Sequence, residues 1–185
     1  MLKKTLFSMT ITTTLLLSGT AQAEDSFLSR IGDSVKSEWN KSMNGKSELY
    51  VPLRTWHNRA TYDHNKLKEF NESPWGLGYG KGYIDEKGNW AGFYGMAFKD
   101  SHNKWQPIAG YGYTKRFYND SGNWHAGIGY TLFMTAREDI FHYIPFPAAL
   151  PLVSAGYKDF SLQGTYIPGG KGNGNVAFFW AKYSF

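Results

Sequence analysis

The sequence predicts an all-β fold, an eight-stranded antiparallel transmembrane β-barrel preceded by an N-terminal amphipathic helix. Three observations lead there: period-two alternation of apolar residues from Leu49 onward, alternating short and long connections, and an aromatic content of 18 % beside 21 glycines. That mixture suits the aromatic girdles and crowded strands of a membrane barrel. A soluble β-sandwich is the competing architecture.

At the N-terminus, Lys3 and Lys4 precede an apolar, Thr-rich run that closes on Ala21-Gln22-Ala23, the small-x-small pattern of a secretory signal peptide. Residues 1–23 are therefore expected to be cleaved, and residues 24–185 to form one domain. The chain has no cysteine, which excludes a disulfide scaffold, a thiolate metal site and a Cys nucleophile. A formal charge of +5 is modest and partly leaves with the leader, so nucleic acid is not indicated; anionic lipid head groups remain candidate partners.

Residues 24–45 read as the amphipathic helix and a linker. Phe27, Ile31, Val35 and Trp39 recur four apart, and this stripe must bury itself against protein or a membrane interface. After Ala23 no run of about 18 apolar residues follows, so no transmembrane helix is read.

The barrel occupies residues 49–185 in eight segments: Leu49 to Thr61, Trp75 to Ile84, Asn89 to Lys99, Gln106 to Phe117, Gly122 to Ala136, Ala148 to Tyr157, Asp159 to Pro168 and Val176 to Phe185. In the last, Ala177, Phe179, Ala181, Tyr183 and Phe185 share the face expected to meet lipid. Phe178, Trp180, Lys182 and Ser184 share the other. Trp124, Ala126, Ile128, Tyr130 and Leu132 form a second outward run. Tight links at Asp85-Glu86-Lys87-Gly88, Asn119 to Gly122 and Lys158-Asp159 should face the periplasm, and the longer links the cell exterior, where function is to be sought.

The inward faces carry Ile108, Gly110, Gly112 and Thr114 on one strand, and the strand Asn89 to Lys99 is apolar on both faces. The interior is therefore no polar pore. An eight-stranded barrel is either filled by side chains or holds one small ligand, and the inward glycines favour a slot for a hydrocarbon chain. Pro52 and Pro151 fall within strands, and Pro74 and Pro168 at strand ends. Each removes a ladder hydrogen bond, so together they predict places where neighbouring strands part, although strand termini are the simpler reading of any one.

Of the five histidines, His57 ends the first strand, at the same mouth as Asp100-Ser101. A base with a hydroxyl and a carboxylate at one mouth suits acyl transfer, though the spacing is no motif and a lone histidine is commonly structural. The run Gly169 to Asn175 lacks the Lys-Ser/Thr pair and the helix of a P-loop and reads as a flexible loop.

Asp85-Glu86-Lys87-Gly88-Asn89-Trp90 through Met96-Ala97-Phe98-Lys99-Asp100-Ser101, with Asn103-Lys104-Trp105, resembles the outer-membrane lipid A palmitoyltransferases, the PagP family. Pro107 to Gly112, Thr55-Trp56-His57, Tyr143-Ile144-Pro145 and Tyr166-Ile167-Pro168-Gly169 resemble it in the same order, over essentially the whole mature chain. The resemblance implies a tilted barrel that moves a palmitoyl group from a glycerophospholipid to a hydroxyacyl chain of lipid A in the outer membrane. It implies His57, Asp100 and Ser101 as catalytic residues, Gly112 as the floor of the acyl pocket, and Pro52, Pro74, Pro151 and Pro168 as flanks of lateral openings. Lys66 matches a position tied to lipid A recognition; a solvated loop lysine is the alternative. Two departures bear on gating and rate: Lys171, in the gating loop, replaces a Tyr, and His102 replaces a Trp.

No cofactor or metal is expected, and the chain is expected to be a monomer or homodimer. Within the trio, His57 would act as base on the acceptor hydroxyl and Asp100 would orient it, while Ser101 would be nucleophile or oxyanion donor. A non-catalytic barrel, as lipid carrier or membrane anchor, is the competing function.

Overall fold

The computed structural model describes residues 27–171 and 174–185. The leader expected at residues 1–23 lies outside them, as do Gly172 and Asn173 of the glycine-rich link.

Residues 27–43 form helix α1, on which Phe27, Ile31, Val35 and Trp39 are exposed. No helix among the described residues is long and apolar enough to cross a membrane, which says nothing of strands.

The strands are β1 (Lys46–His57), β2 (Gly76–Ile84), β3 (Trp90–Lys99), β4 (Trp105–Tyr118), β5 (Trp124–Thr135), β6 (Phe146–Tyr157), β7 (Phe160–Ile167) and β8 (Val176–Ser184). Each pairs antiparallel with its neighbours in sequence, and β8 pairs with β1 to close the barrel. A short helix, α2 (His64–Glu69), sits in the link from β1 to β2. The short turns gather at one rim and the long links at the other.

Local chemistry sets the ends. Strand β1 runs from Lys46 to His57 instead of Leu49 to Thr61. At its start, Ser47 exchanges backbone hydrogen bonds with Phe185 at 3.0 and 2.8 Å. At its finish, the Asn58 side-chain oxygen accepts the Ala60 N–H and its carbonyl accepts the Thr61 N–H, both at 3.0 Å, turning the chain. At the short-turn rim Asp85 Oδ1 accepts the N–H groups of Lys87 and Asn89, and Gly88 closes the turn at φ 82°, a conformation glycine adopts without steric cost.

Face parity follows the alternation. Phe178, Trp180 and Lys182 are buried whereas Tyr183 and Phe185 are exposed; His125 and Thr131 are buried whereas Ile128, Tyr130 and Leu132 are exposed. With Leu77, Tyr79 and Val153 these outward residues form an apolar belt suited to hydrocarbon.

The interior is layered. Tyr94, Met96, Phe98, Phe178 and Trp180 form its apolar part with Tyr50, Trp90 and Leu152. Nearer the short turns, the Glu48 carboxylate accepts hydrogen bonds from Tyr50 Oη at 2.6 Å, Trp90 Nε1 at 2.8 Å and Ser184 Oγ at 3.1 Å, and is ion-paired with Lys182. Both charged side chains are 1 % exposed. The expectation of an apolar interior thus holds for the long-loop half only. The other half is plugged by an ion pair whose burial is tolerable because the carboxylate is fully hydrogen-bonded.

Two ladders stop short of the long-loop rim. The β1–β2 register ends at Tyr50↔Gly78 and the β6–β7 register at Leu152↔Thr165. Residues 51–57 of β1 and 146–151 of β6 keep only their other neighbours, β8 and β5. Pro52 and Pro151, which have no N–H to donate, stand where each ladder ends.

Candidate active site

Strand alternation turns Thr55 and His57 inward at the end of β1, with Trp56 exposed between them. The link that follows folds over the imidazole. Phe70 stacks on it at 4.4 Å and 16°, and Tyr62 meets its edge at 5.3 Å and 89°. From the β3–β4 loop, Ser101 brings its Oγ to 3.1 Å from His57 Nε2.

The carboxylate on the other ring nitrogen is Glu72, not Asp100. Glu72 Oε1 lies 3.1 Å from His57 Nδ1 and also accepts the His57 backbone N–H at 3.1 Å. Arg59 grips both Glu72 oxygens at 2.6 Å, and Arg54 reaches Oε2 at 3.3 Å. Hydrogen bonding from Arg59, against the opposing effect of partial burial, holds the Glu72 carboxyl down at about 2.

Asp100 is also at this rim, but it serves its own loop. Its Oδ1 accepts the backbone N–H groups of His102 and Lys104, each at 2.9 Å, and its Oδ2 is 3.8 Å from Arg137. Asn103 adopts φ 60° within this turn. Two loops are stitched together beside it, since the Asn71 N–H donates to the Ser101 carbonyl at 2.8 Å and the Thr55 N–H to the Glu72 carbonyl at 3.0 Å.

Below His57 and Ser101 a cavity of about 570 Å³ descends past Phe98, Met96, Ile108, Leu150 and Phe178 to Tyr94, Thr131 and Trp180. A hydrogen bond of 2.5 Å between Tyr94 Oη and Thr131 Oγ1 crosses its floor. The walls are apolar and the mouth is polar, the division expected of a site that holds a hydrocarbon chain beneath a reacting head.

The other predicted positions divide. Lys66 and Pro168 line the cavity. Pro52 and Pro151 stand where the two ladders end, and Pro74 lies in the β1–β2 link two residues before β2. His102 lines the mouth with its ring edge-on to Phe70 at 5.4 Å and its Nδ1 4.0 Å from Asp139. Lys171 is exposed on the β7–β8 link and is not a wall residue. Gly112 is paired with Thr131 of the cavity floor, and a Cβ there would sit 2.9 Å from the Trp90 ring, so the indole packs against the space the missing side chain leaves. No group of three or more His, Asp or Glu among the described residues is placed to hold a metal.

Residues 34–182 match the family described as "Antimicrobial peptide resistance and lipid A acylation protein PagP". A lipid A acyltransferase of Klebsiella pneumoniae is 49 % identical, over 97 % of this chain and 97 % of its own. Lipid A acyltransferases of Bordetella pertussis and Cronobacter turicensis are each 52 % identical, over 80 % and 84 % of this chain and 79 % and 80 % of theirs.

Proposed function

The chain belongs to the PagP family of lipid A acylation proteins, and we propose that it moves a palmitoyl group from a glycerophospholipid to the hydroxyacyl chain of lipid A in the outer membrane. It is an acyltransferase, and lipid A acylation is its reaction class. The observation that carries the finer reading is the 3.1 Å contact between His57 Nε2 and Ser101 Oγ at the head of the apolar cavity. A base in hydrogen-bond reach of a hydroxyl, above a slot for a chain, is what transfer of a fatty acyl group requires.

In this reading the donor lies with its chain in the cavity and its ester carbonyl at the mouth. His57 takes the proton of Ser101 as Oγ attacks the carbonyl, and returns it to the departing lysophospholipid oxygen. The acceptor hydroxyl, deprotonated by the same nitrogen, then takes the acyl group, and His57 passes that proton to the departing Ser101 Oγ, which restores both residues. Asp100 keeps a part in catalysis by holding the turn that presents Ser101.

The exposed apolar belt supports placement in the outer membrane, with the long links at the cell exterior. The end of the β6–β7 ladder supports a lateral route for the donor, because Leu150, Thr165, Ile167 and Pro168 beside it are cavity walls. The end of the β1–β2 ladder would serve the acceptor, and Lys66 at the mouth would meet its anionic head.

Purified, detergent-refolded protein incubated with phospholipid and lipid A should yield palmitoylated lipid A by mass spectrometry. His57→Ala and Ser101→Ala should abolish the product while leaving a heat-modifiable barrel, since neither residue lies in the lipid-facing belt. No product from the parent would leave the lipid carrier or anchor standing. Product from either variant would remove that residue from catalysis.

A further inference from the structure

We infer that Glu72 is the positioning residue of the site: it fixes the tautomer and orientation of His57 and completes a Ser101–His57–Glu72 relay. The inference rests on His57 acting as the base, as proposed above.

The geometry fixes who donates to whom. An ionised carboxylate only accepts hydrogen bonds, so in the 3.1 Å contact with Glu72 Oε1 the His57 Nδ1 carries the proton. In a neutral imidazole the other nitrogen then holds a free lone pair, and His57 Nε2 points that lone pair at Ser101, 3.1 Å away. The opposite tautomer would place a proton where the base must accept one.

Glu72 is held where this function needs it. The Arg59 fork fixes both oxygens, the His57 N–H fixes Oε1 from a second direction, and the Glu72 carbonyl is tied to Thr55. Its neighbour Asn71 is bonded to the Ser101 carbonyl, so nucleophile and orienting acid are registered to one another through a single backbone contact. Asp100, whose Oδ1 is used by two N–H groups of its own turn, makes no hydrogen bond to His57. The other charged or titratable groups around the ring are Arg59, Tyr62 and Lys66 from the β1–β2 link, Asp100 and His102 from the β3–β4 loop, and Arg137 and Asp139 from the β5–β6 link. None of these is hydrogen-bonded to Nδ1.

The test uses the full-length refolded enzyme and the variants Glu72→Gln, Glu72→Asp and His57→Ala, with kcat, KM and the pH profile of transfer read for each and the barrel checked by heat-modifiability. Glu72→Gln should lower kcat roughly 10²- to 10⁴-fold with KM little changed, the loss expected when a base is put in the wrong tautomer. The acid limb of its remaining activity should move to lower pH, because an imidazolium without its carboxylate loses its proton more readily. Glu72→Asp should recover part of kcat, and serves as the readout if Glu72→Gln does not fold. A kcat within about tenfold of the parent, or a fall with the acid limb unmoved, overturns the inference and leaves Glu72 a loop anchor. An active His57→Ala would instead overturn the base reading itself.

Discussion

Gly112→Met separates two accounts of how the acyl slot ends. A Cβ at position 112 would lie 2.9 Å from Trp90 Cζ3, 3.0 Å from Cη2 and 3.5 Å from Leu152 Cδ2. The indole cannot easily retreat, since its Nε1 donates to Glu48 at 2.8 Å and Lys182 sits 4.0 Å over its face. The cost of such overpacking is about 1–3 kcal/mol. Beyond Cβ the methionine must turn towards the Tyr94–Thr131 pair and raise the floor. If it removes the space of two to three methylenes, at about 0.8 kcal/mol each, palmitate loses roughly 2 kcal/mol of chain burial, some 30-fold in preference against shorter donors. Gly112→Ala is the control, because its single carbon meets Trp90 without reaching the cavity; it should cost stability and leave donor choice alone. The assay is competition among phospholipids of graded chain length read by mass spectrometry, with urea unfolding for stability. Altered chain preference in Gly112→Ala at parental stability would show that position 112 lines the slot directly. Unaltered preference in Gly112→Met would show that the slot ends above it.

Three further outcomes follow from the same geometry. Lys66→Ala should reduce transfer to lipid A more than phospholipid hydrolysis, measured side by side, because the charge lies at the mouth; equal losses would remove the acceptor-specific role. Lys182→Met should lower unfolding stability by about 3–5 kcal/mol by stranding the Glu48 carboxylate, while Glu48→Gln/Lys182→Met should lie much nearer the parent; urea midpoints decide. Glu72, held at about 2 against an ordinary value of 4.5, should contribute stability that is complete above pH 4.5 and lost as the pH falls towards 2. Glu72→Gln should lack that slope in urea unfolding, and a slope equal to the parent's would place it on other carboxylates.

The barrel was readable because period two is a local property: one face of β5 meets the core through His125 and Thr131 while the other leaves Ile128, Tyr130 and Leu132 exposed, and the pattern needs no knowledge of the neighbours. The polar plug was harder to read, since Glu48 and Lys182 stand 134 residues apart and become a pair only when β8 closes on β1. The surroundings of Gly112 were hard to read for a related reason. Parity shows that a residue points inward, but which inward side chain occupies the space it leaves depends on Trp90 of the adjacent strand.

The site divides along the same line. His57 and Ser101 could be placed at one rim from strand direction alone, because each sits at or just past the end of a strand. Glu72 could not, since it lies 15 residues beyond His57 in a link whose path is fixed by contacts with other loops. The Asp100 carboxylate carries the opposite lesson. An aspartate followed within four residues by His102, Asn103 and Lys104 has the makings of a local turn, and a carboxylate that caps nearby N–H groups in such a turn has fewer lone pairs to offer a distant histidine. The adjacency of Asp100 and Ser101 therefore orders the hydroxyl through the backbone. The electrostatic partner of the imidazole is supplied by the link that covers it, and the arginine that keeps that partner ionised comes from the same link. Folding of the β1–β2 link and assembly of the base are thus one event, and loosening that link, even at Arg59, should cost chemistry before it costs the barrel.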